Sequence, residues 1–373
     1  MSNRGIMMAA SGTAAAGGAG AYTTGYPFIW GKGGIGKIGD GANTSRSSPV
    51  LLDTQRWFSA SSGSSAHGVK DDGTLWGWGA GGNGGIGDGV AVNRSSPVQI
   101  GTDTDWLVAG SNSHSNTSTT EAPNTSHFIK ADGTMFKAGN PVGLPTQMTG
   151  SDWVQVSDGM LCATAVRSDG TLWGIGQGDH GRMFVGEGNK STWTQEPYGL
   201  TNWVKCSSGY DFSFALRDDG TLWGCGSVEN GRLENGWSSG ASRSSPVQVG
   251  GAEWIDFSCG VFTTLAIKDD GTMWGWGQDT HGALGNGSPG NRTTRTQVGS
   301  DTDWAQIECA GRSSFGIKTD GTLWSWGDGE LGVTGQNHEN DTATPAQIGS
   351  ETDWIKVGEM GLGGTIIAFR DSM

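Results

Sequence analysis

The chain has 373 residues, 68 of them glycine and 18 tryptophan, with 23 basic against 37 acidic residues and a formal net charge of −14. That balance leaves no general basic field to neutralise phosphates, which argues against binding to chromatin or other nucleic acid. The glycine share is far above the usual ~7%, yet the glycines recur at fixed positions, so a flexible linker is excluded over most of the chain.

Residues 1–26, MSNRGIMMAASGTAAAGGAGAYTTGY, are rich in Gly and Ala and cannot bury enough surface to fold alone. They read as a docking tail. A secretory signal is the alternative, because Arg4 precedes a weakly apolar run, but Ser11, Gly12 and Thr13 interrupt it.

From Pro27 onward a unit of about 50 residues repeats. Its marker is Trp57, Trp106, Trp153, Trp203, Trp254, Trp304 and Trp354. After each marker a short run ends in glycine, and an alternating apolar segment such as TTLAIK or FSFALR follows. An Asp-Gly-Thr turn comes next, at 72–74, 132–134, 169–171, 219–221, 270–272 and 320–322. Asp-Gly is a hairpin signal because both central residues tolerate positive φ. A strand of the type TLWGWG, a Gly-rich stretch and a last strand of the type SSPVQI complete the unit, which predicts four short strands. The period of two places Trp76 and Trp78 on one strand face and Gly77 on the other. The first aromatic of that strand is assigned as Trp30, Trp76, Phe136, Trp173, Trp223, Trp274 and Trp324, all expected in the core. A buried Trp contributes roughly 4 to 6 kcal/mol at 25 cal/mol/Å².

The chain enters at PFIWG (27–31), which matches the third strand of a unit, and leaves at TIIAFR (365–370), which matches the second. Six whole units and one split unit predict an all-β, seven-bladed β-propeller of four-stranded blades over 27–373. The terminal segments share one blade and close the ring, which removes exposed sheet edges.

Departures from the repeat mark candidate contact residues. An insertion, SNSHSNTSTTEAPNTSHF, follows Trp106 and carries His114 and Glu121; their spacing fits no defensible metal motif. Trp193 and Trp237 fall outside repeat positions, in stretches read as long loops, with partner contact and local packing both open. The tight first connections of the units bring Met160, Leu161, Tyr210, Val261, Phe262, Arg312, Met360 and Leu362 toward the axis on the face that bears the insertion. They form either a protein interface or a plug for the channel.

Chemistry finds no foothold elsewhere. The six histidines form no catalytic grouping, so neither an enzyme nor a cofactor is expected. The acidic residue before the marker (Asp105, Asp152, Glu253, Asp303, Asp353) reads as a turn residue bonding nearby amides rather than as a cation ring. Cys162, Cys206, Cys225, Cys259 and Cys309 include no Cys-x-x-Cys and read as small buried side chains near the axis. No transmembrane segment is expected.

The motifs DGTLWGWG, LGxG and SPVQV resemble the repeats of the regulator of chromosome condensation family, in register over roughly 27–373. The resemblance implies a seven-bladed propeller and a phage or bacterial member. That family holds nucleotide exchange factors, a plant UV-B photoreceptor, a secreted beta-lactamase inhibitor protein and many bacterial and phage proteins, so the fold alone does not choose a role. A short tail before a repeat domain is similar to phage virion proteins. The leading expectation is a non-enzymatic structural or adhesion component of a virion or extracellular surface. It would be tied to capsid or tail subunits through residues 1–26, with a host-surface ligand as a further partner. The alternative is a soluble, cytoplasmic protein-binding module, inhibitor-like or acting on a small GTPase. The insertion matches no exchange wedge, and the photoreceptor motif GWRHT is replaced by GVFTT and GRSSF.

Overall fold

The structure is a computed structural model that describes residues 23–82, 84–110, 125–139, 143–234, 236, 239–361 and 363–373. Seven sheets form, each built on the four-strand antiparallel meander expected from one repeat, and one of them gains a short parallel fifth strand. Blade one consists of Trp57–Ser62, Ser65–Lys70, Leu75–Gly79 and Arg94–Gln99. The first strands of blades two to seven are Trp106–Ala109, Trp153–Asp158, Trp203–Ser208, Trp254–Cys259, Trp304–Ala310 and Trp354–Val357. These pack blade against blade around the axis.

Blade seven is the split one. Tyr26–Gly31 pairs antiparallel with Thr365–Arg370 over six residues, and Arg46–Leu51 adds the outer strand. The closure expected from the sequence is therefore present, but the register within it differs from the sequence assignment by two residues. Gly25 exchanges backbone hydrogen bonds with Trp57. In blade one the turn glycine Gly73 accepts from Trp106 in the same way. Gly25 thus stands in for the missing turn, and Phe28, not Trp30, is the first aromatic of its strand.

The turns differ from a two-residue Asp-Gly hairpin, with three residues, 71–73 in blade one, in the loop. Gly73 N–H donates to Lys70 C=O and Lys70 N–H to Thr74 C=O, at 2.9 and 3.0 Å. Only Gly73 takes positive φ, at 78°, while Asp72 Oδ1 accepts the Thr74 amide. This is a type I turn with a glycine bulge, and it recurs at all six turn sites.

The core lies between blades. The seven marker tryptophans are buried, as are Trp30, Trp78, Trp276 and Trp326 at the second aromatic position of the third strand. The first aromatics Trp76, Phe136, Trp173, Trp223, Trp274 and Trp324 are only half-buried. Their faces are covered by the cation that ends the second strand: Lys70 sits 4.0 Å from the Trp76 ring, Arg167 4.2 Å from Trp173 and Lys268 4.4 Å from Trp274. The carboxylate before the marker completes this layer. Asp105 pairs with Lys130, Glu253 with Lys268, Asp303 with Lys318 and Asp353 with Arg370. These four acids are therefore ion-pair partners of a repeated cation, beyond their reading as turn residues; Asp353 also accepts the Ser372 amide, and the fifth, Asp152, accepts from Ser151 Oγ.

The Gly-rich loop between third and fourth strands of one blade leans onto the next. Its carbonyls accept from the buried indoles there: Lys37 from Trp78, Arg232 from Trp276, Ala283 from Trp326 and Val333 from Trp30. A Cβ on Gly36, Gly231 or Gly282 would meet the neighbouring fourth strand within about 2.6 Å, at positions of positive φ. Glycine is required there by both space and conformation.

Blade two is the exception, with a two-residue fourth strand, Thr146–Gln147. Blade three follows it and carries Ile175, whose side chain has no N–H to satisfy, at the second aromatic position. Trp193 lies in the fourth strand Lys190–Gln195 of blade three, not in a loop. It packs 5.2 Å from Trp153 and 5.5 Å from His127, over the seam that the short connection leaves thin.

Candidate interaction face and axial channel

An antiparallel meander alternates direction, so the first-to-second connections and the Gly-rich loops share one face of the ring, the tip face. The Asp-Gly turns and the links between blades share the other, the turn face. Residues 111–124 connect the first and second strands of blade two. They include His114 and Glu121, which lie outside the described residues, as do Trp237 and Leu362.

The tips are tied to one another. Tyr210 N–H donates to Val261 C=O at 3.1 Å, and Val261 N–H donates to Gly311 C=O at 3.0 Å. Glu359–Met360 runs parallel to Ser61–Ser62 and carries the ring of tips across the closure. The Tyr210 and Phe262 rings meet edge to face at 5.6 Å. Two buried arginines from the Gly-rich loops clamp them from below. Arg182 donates to Tyr210 C=O at 3.0 Å, and Arg232 pairs with Asp211 while lying 4.4 Å from the Phe262 ring centroid. Met160, Leu161, Tyr210 and Phe262 are half-buried and Arg312 is exposed.

Arg312 stands at the mouth of a cleft lined by Val261, Phe262, Gln278, Thr280 and His281. Its Nη1 donates to His281 Nε2 at 3.3 Å, and His281 Nδ1 lies 2.9 Å from Asp341 Oδ2. The structure therefore brings Tyr210, Phe262 and Arg312 onto one connected surface. Trp193 sits apart, on an outer strand of blade three. The sequence reading missed Arg182, Arg232 and His281, because their role depends on which loop leans on which neighbouring tip.

Beneath the tips the axial channel is polar. The residue two places after the marker tryptophan reaches across to the next blade in every unit but the second, where it is the apolar Val108. Gln155 donates to Cys206 C=O and accepts from Cys206 N–H, and Gln306 does the same with Val357, at 2.9 to 3.2 Å. Ser59 bridges to Leu107 and Ala109, Lys205 to Asp256, and Lys356 to Phe58 C=O. Two residues further, Ser157, Ser207 and Ser258 accept from Ser208, Cys259 and Cys309 amides.

Glu308 and Glu359 line the same channel. Burial pushes the Glu308 carboxyl up to about 8 and Glu359 up to about 7, with the nearby lysines pulling the other way. Burial lowers the Lys356 ammonium, whereas Asp256 and Glu308 outweigh burial at Lys205 and raise it. This arrangement staples blades together and leaves protonatable carboxyls along the axis.

All five cysteines are free and buried. Cys206, Cys259 and Cys309 lie on first strands near the axis, while Cys162 and Cys225 lie on the second and third strands. Burial raises the Cys162, Cys206 and Cys259 thiols to about 11, 12 and 12, so they are poor nucleophiles. Among the described residues no helix is long and apolar enough to cross a membrane.

Two family models, both described as the regulator of chromosome condensation (RCC1) repeat, match the chain, one at residues 203–232 and 254–283 and the other at 270–317. No curated protein matches the sequence significantly. Among solved structures, Prp20p of Saccharomyces cerevisiae is 18% identical, with 95% of this chain and 93% of that chain covered and a TM-score of 0.79. That structure was described with its binding to Gsp1p and histones. Yeast RCC1 (Prp20) bound to Kap60 is 18% identical, with 94% and 90% covered and a TM-score of 0.79. Human WBSCR16 is 17% identical, with 94% and 100% covered and a TM-score of 0.80. These likenesses establish the fold. Residues 203–232 and 254–317 match regulator of chromosome condensation repeats, and the chain closes into a seven-bladed propeller of the fold that those structures share.

Proposed function

We propose that this chain is a non-enzymatic protein-interaction propeller that presents its tip face to a partner. It serves as a virion-associated (capsid or tail) or surface-adhesion component, anchored by residues 1–26, at a virion or extracellular surface. The polarity of the ring supports this reading. Gly25 sits among the turns, so the described chain enters the propeller on the turn face, opposite Tyr210, Phe262 and Arg312. A module attached on that side leaves its connected aromatic and cationic tips pointing away from the anchor. Half-buried aromatics beside an exposed arginine have the composition of interface cores. Propellers of the same fold serve protein partners, as the yeast protein does with Gsp1p, histones and Kap60.

Affinity capture from the native source tests the reading with three baits: the full chain, a chain starting at Thr23, and a full chain carrying Tyr210→Ser, Phe262→Ser and Arg312→Glu. Capsid, tail or surface proteins should come down with the full chain and the tip variant but not with the shortened chain. A second set of partners should be lost only with the tip variant. Equal recovery of one soluble enzyme or GTPase by the full and shortened chains would replace the assembly role with that of a soluble inhibitor or exchange module.

A further inference from the structure

We propose that the cleft between the tips of blades five and six binds a carboxylate of an acidic peptide segment, with Arg312 as the anchor; this rests on the tip face being the interaction surface. Arg312 is exposed and, among the described residues, pairs with no carboxylate; the one hydrogen bond of its side chain is to His281. A guanidinium cannot accept, so His281 Nε2 is the acceptor and the ring proton lies on Nδ1, donated to Asp341 Oδ2. Asp341 is itself held by the Gly329 amide at 3.1 Å. The chain Gly329, Asp341, His281, Arg312 fixes the guanidinium with one of its five N–H groups and leaves the others for a ligand. That fork matches a carboxylate in a bidentate geometry.

The opposite wall is apolar and firm. Val261 is tied to Gly311, and Phe262 is backed by Tyr210 and Arg232. Gln278 and Thr280 add polar groups to the floor. His281, Asp328 and Asp341 bring donor atoms within 4.8 Å of one another. Both ring nitrogens of His281 are engaged, Nδ1 with Asp341 and Nε2 with Arg312, so in this arrangement the trio orients Arg312. The same two aspartates disfavour a dianionic phosphate and leave a singly charged carboxylate beside an apolar side chain as the ligand.

The test pans a yeast-displayed random dodecapeptide library against the full-length chain and measures enriched peptides by fluorescence polarisation on wild type, R312A, R312K and Y210A. Circular dichroism checks that each variant is folded. Enriched peptides should carry Asp or Glu next to an aliphatic or aromatic residue. Arg312→Ala should weaken them about tenfold or more, from loss of a charge-assisted bidentate pair, and Arg312→Lys should be intermediate. Peptides without acids, equal affinity for R312A, or no enrichment would each overturn the proposal. Binding lost in Y210A but unchanged in R312A would overturn the cleft while supporting the tip face, and binding unchanged in both would count against the two together.

Discussion

Glu308 and Glu359 are carboxyls that ionise in the folded ring near pH 8 and 7. In the unfolded chain they ionise near the usual ~4.3. A raised pKa stabilises the protonated native form, so its contribution is complete below the unfolded value and is lost as pH rises through the folded one. Buried His67, lowered to about 4 by desolvation, acts in the opposite direction but only below about pH 6.5. Between pH 6.5 and 9 the thermal midpoint should therefore fall, and Glu308→Gln should flatten that slope; a midpoint that rises over this window contradicts the assignment. The indoles make a second prediction at this scale. Trp78→Phe leaves the Lys37 carbonyl without its buried donor and should cost about 1–3 kcal/mol, read by urea denaturation. Trp76→Phe, at a half-buried position, should cost less. The sequence showed both tryptophans on one strand face. Their difference was hidden because it depends on a loop from the preceding blade, about 40 residues earlier.

Strand-to-strand relations were legible wherever the repeat was intact. The Asp-Gly-Thr turns, the alternating second strand and the marker tryptophan each fell where their spacing placed them. The split blade was legible in its pairing but not in its register: PFIWG holds one tryptophan, and the Gly25–Trp57 bridge and the Trp30–Val333 hydrogen bond show that it is the second aromatic. The first strand hid its function for a different reason. Ser59, Gln155, Lys205, Asp256, Gln306 and Lys356 differ chemically yet all reach across to the next blade, so no residue type repeats. Replacing Gln306 by Ala leaves the Val357 amide and carbonyl without side-chain partners. It should cost about 1–3 kcal/mol, measured by denaturation. Removing Tyr26–Gly31 should be far more severe, because it takes the third strand from blade seven and opens two sheet edges. A deletion that left the thermal midpoint unchanged would show that the ring does not depend on this closure.

At the scale of the whole molecule, the ring has two unlike faces. The turn face carries the repeated aspartates, the entry at Gly25 and the carboxylate–cation–indole layers that hold each blade together. The tip face carries the clamped aromatics and Arg312. The fold could be read almost entirely from periodicity, because a propeller repeats its rules. The interaction surface could be read only as a set of loop tips, because which tips touch depends on contacts between blades.

Hydrogen exchange on the full-length chain, free and bound to its captured partner, tests the central claim most directly. The account predicts protection at residues 159–162, 209–213, 260–263 and 311–313, with the Asp-Gly turns at 72–74, 270–272 and 320–322 unchanged. Protection confined to those turns or to the outer strands would place the partner on the wrong side of the ring and contradict the account.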